Sequence, residues 1–173
     1  SSTYSADIGI KGQKIAAIGQ QLAGDRTVDA SGKLVTPGAV DIHVHMQMPI
    51  GNFTSADDFY SGTVAAAFGG TTAIIDFVER EGQESFLWTI AVGRDLADPQ
   101  VVIDYGLHMT LGPNELDMLD QVPDAFDAGC ISFKLYMAYD FCLTDSQMLR
   151  ALMAVAAVDG LPVVHAENWD IIC

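Results

Sequence analysis

From Ala39 onward, the sequence alternates short apolar runs with longer stretches of helical character. The runs are AVDIHVH, TTAIIDFV, VVIDYGLHM, ISFKLYMAY and LPVVHAEN, and four helical stretches separate them. Strands that alternate with helices of this length predict parallel βα units in an α/β fold. Five strands and four intervening helices favour either a doubly wound sheet or part of a (β/α)8 barrel of the TIM type.

Turn and cap residues agree with this alternation. Ser55 and Thr144 are placed to cap the amino ends of two helices, and Gly69, Gly129 and Gly160 lie where helices should end.

The first 36 residues have a different pattern, in which glycines separate short extended runs and TVDASGKLVTPG adds another turn and strand. We therefore predict two domains, a part of a small β domain over 1–36 and a barrel domain over 37–173.

Charge and composition restrict the partners of the chain. Eight basic residues stand against 23 acidic ones, and a net charge of −15 would repel nucleic acid and anionic membrane surfaces. No apolar stretch approaches the roughly 20 residues that a membrane span needs. The cysteines Cys130, Cys142 and Cys173 are odd in number and lack CxxC spacing. We expect a soluble, cytoplasmic protein.

Polar residues distinguish the two candidate folds. His43 and His45 end the first strand, Lys134 lies on the fourth and His165 ends the fifth. Both folds collect ligands at the carboxyl ends of strands, but only a closed barrel brings the ends of strands one, four and five around one centre. The sequence therefore favours the barrel, although a barrel needs eight strands and five are present.

All four of these residues are candidates for metal chemistry. His43 and His45 stand two apart on an extended segment, so both rings can reach one metal ion from the same face. Lys134 lies within an apolar strand, where burial lowers the pKa of an ammonium group; the alternative is a lysine at the strand end that reaches water. His165 is either a ligand or structural, and His108 is expected to have a core or supporting role.

Successive motifs extend these observations. PGAVDIHVHMQMP, DDFYSGTVAAAFGGTTAIIDFV, FKLYMAY and HAEN resemble, in order and spacing, motifs of the cyclic amidohydrolases, specifically the dihydropyrimidinase and hydantoinase branch. The resemblance implies a small β-sandwich domain beside a (β/α)8 barrel. It also implies that Lys134 carries a carboxylate on its amine and bridges two divalent ions, most commonly Zn²⁺.

Further roles follow from the same resemblance. His43 and His45 would bind one metal and His165 the other, while Tyr139 would donate a hydrogen bond to the developing oxyanion. A hydroxide between the metals would open a dihydropyrimidine or a 5-substituted hydantoin to an N-carbamoyl amino acid.

Supporting roles are also predicted for residues around this centre. Asp41 and Glu167 would orient histidines, and Asp57 and Asp58 would open a helix. The loop MQMPIGNFTS, together with Tyr136 and Phe141 to Leu143, would line the pocket for the exocyclic group of the substrate.

The family pattern also contains a further histidine and an aspartate on later strands, which this sequence does not supply. We therefore expect the N-terminal portion of a longer enzyme, inactive by itself.

Two alternatives stay open, an inert scaffold resembling the collapsin response mediator proteins and an enzyme resembling allantoinase or dihydroorotase. The four candidate metal-binding residues argue against the scaffold. The resemblance implies a homotetramer that acts on a small cyclic amide.

Overall fold

The computed structural model describes residues 3–173 and divides the chain into two compact units, one ending at Pro37 and the other spanning Gly38–Cys173. The first unit contains one antiparallel hairpin of β1 (Asp7–Lys11) and β2 (Lys14–Gly19). The expected further strand in TVDASGKLVTPG is wrong, because no strand lies between β2 and Ala39. The predicted sandwich character of residues 1–36 stays a prediction.

The second unit is an α/β structure around one parallel sheet. Five strands form it in the order β3-β6-β7-β8-β9, and a separate two-residue hairpin, β4 and β5, follows the first of them. The strands are β3 (Ala39–Val44), β4 (Pro49–Ile50), β5 (Phe53–Thr54), β6 (Thr71–Val78), β7 (Asp104–Thr110), β8 (Ser132–Tyr136) and β9 (Leu161–His165). This order confirms the predicted parallel βα units, and it leaves β3 and β9 at the two edges.

Helices connect consecutive strands of the sheet. They are α1 (Phe59–Gly69), α2 (Phe86–Ala97), a 3₁₀ helix (Pro113–Gln121) that continues into α3 (Val122–Asp127), and α4 (Asp145–Ala157); the short α5 (Trp169–Ile172) follows β9. The single helix expected after β7 is therefore two. Among the described residues, none of the helices has the length and apolar character that crossing a bilayer would require.

The caps confirm one prediction and correct another. Thr144 caps α4, where Gln147 completes a capping box. Helix α1 begins after Asp58 instead of Ser55, because the Asp58 carboxylate accepts a hydrogen bond from the Ser61 backbone at 2.6 Å. The Ser55 hydroxyl instead accepts a hydrogen bond from the backbone of Met48 at 2.9 Å.

The core lies between the sheet and helices α2 to α4. Its largest fully buried side chains include Phe86, Ile90, Met109, Phe133 and Leu135. All five residues of β8 are buried, whereas five of the six in β3 are exposed. The interior strand is therefore held by packing that the edge strand lacks.

Candidate metal centre

The histidine pair lies in an irregular part of β3. Asp41 pairs with Ile74 of β6, and Val44 pairs with Asp76, so three steps along β3 oppose two along β6. This extra residue is a β-bulge, a feature that often redirects side chains next to active sites. The rings of His43 and His45 lie 5.2 Å apart between centroids. The sequence prediction treated this segment as a regular strand, and the regular strand ends at Val44.

Lys134 is buried in the middle of β8, with 3% of its surface exposed. Its amine lies 5.3 Å from the centroid of Phe77 and 5.0 Å from that of Tyr136, and no carboxylate in residues 3–173 forms an ion pair with it. Burial lowers the pKa of its ammonium group. The structure therefore excludes the alternative of a lysine that extends into water.

Phe77, which the sequence analysis missed, is the common neighbour of these groups. Its ring centroid lies 4.7 Å from that of His43, 4.8 Å from His45 and 4.9 Å from His108. Its position at the carboxyl end of the strand beside the histidine strand is the signal that could have identified it.

The imidazoles of this group are held neutral. Burial is the main cause that lowers the pKa of His43 and of His45, and the positive charge of Lys134 lowers both further. Neutral imidazole is the form that binds metal ions. His43, His45 and Lys134 thus lie close enough together for the charge of the lysine to affect both histidines.

His165 lies on the other side of Lys134, across the ring of Tyr136. The centroids of His165 and Tyr136 are 6.0 Å apart. Nε2 of His165 lies 2.5 Å from a carboxylate oxygen of Glu167, so the contact predicted for Glu167 is confirmed. The corresponding prediction for Asp41 is wrong in detail, because its carboxylate accepts a hydrogen bond from the backbone of His43 and not from its ring.

Tyr139 lies beside His165, at the carboxyl end of the sheet. Its ring centroid lies 5.1 Å from that of His165, and rings of Phe141 and Trp169 surround it at 5.4 and 5.8 Å. Its backbone has φ of 74°, a left-handed conformation that is uncommon for a residue with a side chain and is frequent at functional sites.

His108 is a core residue, as the sequence predicted, with 1% of its surface exposed. Its Nε2 lies 2.9 Å from the carbonyl oxygen of Ile42, and its Nδ1 lies 2.7 Å from the hydroxyl of Ser132. A carbonyl only accepts, so Nε2 carries the proton and Nδ1 accepts from Ser132. Burial lowers the pKa of this imidazole.

Asp76, also missed from the sequence, is a buried carboxyl beside the histidine segment. Its two oxygens accept hydrogen bonds from the backbone of Met46 at 3.1 Å and of Phe77 at 2.7 Å. Burial raises its pKa to about 6, although both hydrogen bonds act in the opposite direction. An acidic residue inside the apolar run TTAIIDFV is the signal that could have marked it.

The donor set fits a metal ion in its chemistry. Two neutral imidazoles and a buried amine with lowered pKa can supply nitrogen ligands and, after reaction with CO₂, a carboxylate ligand. Thr110 pairs with Lys134 in the sheet, and its buried hydroxyl oxygen has no hydrogen-bond partner within residues 3–173. Over the same range, no three His, Cys, Asp or Glu side chains are arranged to hold a metal ion.

These observations define an α/β protein with a candidate metal centre at the carboxyl ends of its parallel strands. Comparison with known proteins then narrows the class. The chain is 42% identical to the D-hydantoinase of Geobacillus stearothermophilus, in an alignment covering 98% of the chain and 37% of that enzyme. It is 38% identical to the dihydropyrimidinase of Rattus norvegicus, over 96% of the chain and 34% of that protein.

Solved structures support the same relationship to the hydantoinases. A crystal structure of a D-hydantoinase superposes with a TM-score of 0.92 at 41% identity, covering 99% of the chain and 38% of the hydantoinase. No protein-family model matches the chain. The chain is therefore homologous to the D-hydantoinases and dihydropyrimidinases, which are cyclic amidohydrolases, and it spans a little over a third of the length of the relatives it matches.

Proposed function

We propose that the protein containing this chain is a zinc-dependent hydrolase that opens a cyclic amide, either a dihydropyrimidine or a 5-substituted hydantoin, to an N-carbamoyl amino acid. The observation that carries this proposal is Lys134, a buried lysine without an ion-pair partner in the described chain, which lies between the ring of Phe77 and the ring of Tyr136. Homology to D-hydantoinase and dihydropyrimidinase supports the substrate class.

The four candidate ligands divide between two ions. His43 and His45 would hold the first ion, His165 the second, and N6-carboxylated Lys134 would bridge both. When bound, such a pair of ions polarises the substrate carbonyl and lowers the pKa of bound water. The close approach of the histidine rings to Phe77, and of Lys134 to the same ring, supports this assignment.

The chain itself prepares Lys134 for this role. Burial shifts the amine toward its neutral form, and only the neutral amine has the lone pair that attacks CO₂. The ammonium first releases one proton; the neutral nitrogen then forms a bond to the carbon of CO₂, one C=O π bond becomes a C–O⁻ bond, and the nitrogen releases a second proton to solvent, so a buried cation becomes an anion. This conversion replaces a group that the apolar surroundings disfavour with one that can bind a cation.

Tyr139 and Glu167 would act beside the ligands. The Tyr139 hydroxyl would donate a hydrogen bond to the oxygen of the attacked carbonyl, a contribution of about 2.7–4 kcal/mol in the transition state. Glu167 binds Nε2 of His165 and thereby leaves Nδ1 as the nitrogen for a metal ion. The aromatic rings near Tyr139 would exclude water and contact the exocyclic group of the substrate.

The surrounding architecture is proposed on the same homology. We infer that the parallel sheet belongs to a complete (β/α)8 barrel in the whole protein, with 1–36 in a small β domain and 37–173 in the catalytic domain. We further propose a cytoplasmic homotetramer whose partner is the small cyclic amide.

The full-length protein provides the test. It should be purified with zinc and bicarbonate, its bound metal counted, and the ring opening of a 5-substituted hydantoin and of dihydrouracil measured before and after chelation. We expect about two zinc ions per chain and an activity that disappears with chelation and returns with zinc. A full-length protein that is metal-free and inert under these conditions would overturn the proposal.

A further inference from the structure

Two buried polar side chains from neighbouring strands bind the backbone on either side of the histidine pair. His108 of β7 donates a hydrogen bond from Nε2 to the carbonyl of Ile42 at 2.9 Å. Asp76 of β6 accepts one from the backbone of Met46 at 3.1 Å. His43 and His45 lie between these two contact points in the chain.

The contacts fall where the regular ladder of the sheet is interrupted. Between Asp41 and Val44, the pairing of β3 with β6 shifts by one residue, so backbone groups in this interval lack their ordinary partners. The Ile42 carbonyl belongs to this interval, and Met46 lies beyond the end of the strand. The two side chains therefore supply hydrogen bonds that the sheet does not.

Packing holds the segment only in part. Ile42 is 54% exposed and His43 is also exposed, although the rings of His43 and His45 lie 4.7 and 4.8 Å from the ring of Phe77 between centroids. His108 and Asp76, in contrast, are 1% and 3% exposed, and each makes a second hydrogen bond that anchors it, His108 to Ser132 and Asp76 to the backbone of Phe77. The two anchors are thus buried and held at a second point, whereas the segment they bind is only partly covered.

We propose that His108 and Asp76 are positioning residues that hold the bulged Ile42–Met46 segment, and with it the rings of His43 and His45, in a geometry ready to bind a metal ion. This inference rests on the proposed metal centre. Neither residue touches the ion; each acts through the backbone that carries the ligands, and prior ordering of ligands reduces the cost of binding.

The experiment uses the full-length protein and measures two quantities for each variant, the zinc dissociation constant by competition with a chromogenic chelator and the stability of the metal-free protein in urea. The variants are His108→Leu, His108→Gln and Asp76→Asn. Glutamine keeps an N–H donor where Nε2 lies, and asparagine keeps the volume of aspartate while replacing one acceptor oxygen with a donor.

Val155→Ala is the matched control. Val155 lies in α4 with 0% of its surface exposed, within the core cluster, and neither His108 nor Asp76 makes a hydrogen bond to α4. We expect this variant to lose stability while its zinc affinity stays within about twofold of the wild type, since distant sites act independently.

We expect Asp76→Asn and His108→Leu to weaken zinc binding by about 10- to 100-fold, and His108→Gln to recover most of that loss. If His108→Leu does not fold, the comparison of His108→Gln and Asp76→Asn with the wild type carries the test. Wild-type zinc affinity in both Asp76→Asn and His108→Leu, or a loss in Val155→Ala equal to theirs, overturns the inference. A wild type that binds no zinc overturns the proposed function and this inference together.

Discussion

Strands β3 and β8 both carry proposed metal ligands, yet the sheet holds them in different ways. Every residue of β8 is buried, and the amine of Lys134 lies 5.3 and 5.0 Å from the ring centroids of Phe77 and Tyr136. Strand β3 lies at an edge of the described sheet, and only its last residue is partly buried. Burial on every side places the lysine, whereas the histidine segment combines contact with Phe77 and hydrogen bonds to its backbone.

The difference follows from physical chemistry. Close packing restricts a side chain from all directions, because a void or an overlap costs free energy. An exposed edge strand loses this restraint and also exposes unpaired backbone groups. Buried polar anchors such as His108 and Asp76 provide a directional restraint instead.

The largest effect is expected from Lys134→Arg in the full-length protein. Arginine stays charged at every accessible pH and cannot form a carbamate, so the variant should lose zinc and activity as completely as Lys134→Ala. The loss of activity should exceed the loss of about 10²- to 10³-fold in kcat that removal of one oxyanion donor causes. Ring-opening rates and zinc content would check this, and full activity in either variant would contradict the bridging role.

The contrast in packing predicts a second difference. Phe133→Ala in β8 should lower the free energy of unfolding by about 3–5 kcal/mol, because it leaves a large cavity in the core. In the described chain, where Val40 is 59% exposed, Val40→Ala in β3 should change it by less than about 0.5 kcal/mol. Urea unfolding of both variants measures the difference, and equal losses would remove the distinction between the two strands.

Tyr139→Phe separates chemistry from metal binding. The variant should lower kcat by about 10²- to 10³-fold, since it removes one donor to the oxyanion. Its zinc content should equal that of the wild type, because Tyr139 is not among the proposed ligands. Steady-state kinetics together with metal analysis checks this, and a variant with unchanged kcat would exclude Tyr139 from the reaction.

A smaller effect than these losses of activity concerns the stability of the metal-free protein. Lys134→Met should raise the free energy of unfolding by about 0.5–2 kcal/mol at pH 7, because it removes a buried cation without an ion-pair partner in the described chain. Zinc binding should be lost in the same variant.

The pH dependence of this gain has a definite sign. Burial lowers the pKa of Lys134 in the folded state, so the unfolded state binds more protons between the folded and the unfolded pKa values. The wild type therefore gains stability relative to Lys134→Met as the pH rises through this interval toward the unfolded pKa. Urea unfolding at pH 7, 8 and 9 checks the trend, and an advantage of the methionine variant that grows with pH would contradict it.

The sequence by itself determined the strand and helix alternation of residues 38–173 and the contact between His165 and Glu167, while it left open whether Lys134 is buried. These features depend on local signals, namely apolar periodicity, cap residues and neighbours two positions apart in the chain. The same local reasoning misplaced the cap of α1, because Ser55 and Asp58 are both capable caps and tertiary contacts chose between them.

Only the tertiary structure decided how the centre is built. The bulge in β3 depends on pairing with β6, and the roles of Phe77, His108 and Asp76 depend on which strands become neighbours. These partners lie 30 or more residues from the histidine segment along the chain, so no local pattern records the contact. The physical reason is that a parallel sheet brings together residues separated by a whole βα unit, and buried polar side chains such as His108 and Asp76 then bind backbone groups of the neighbouring segment.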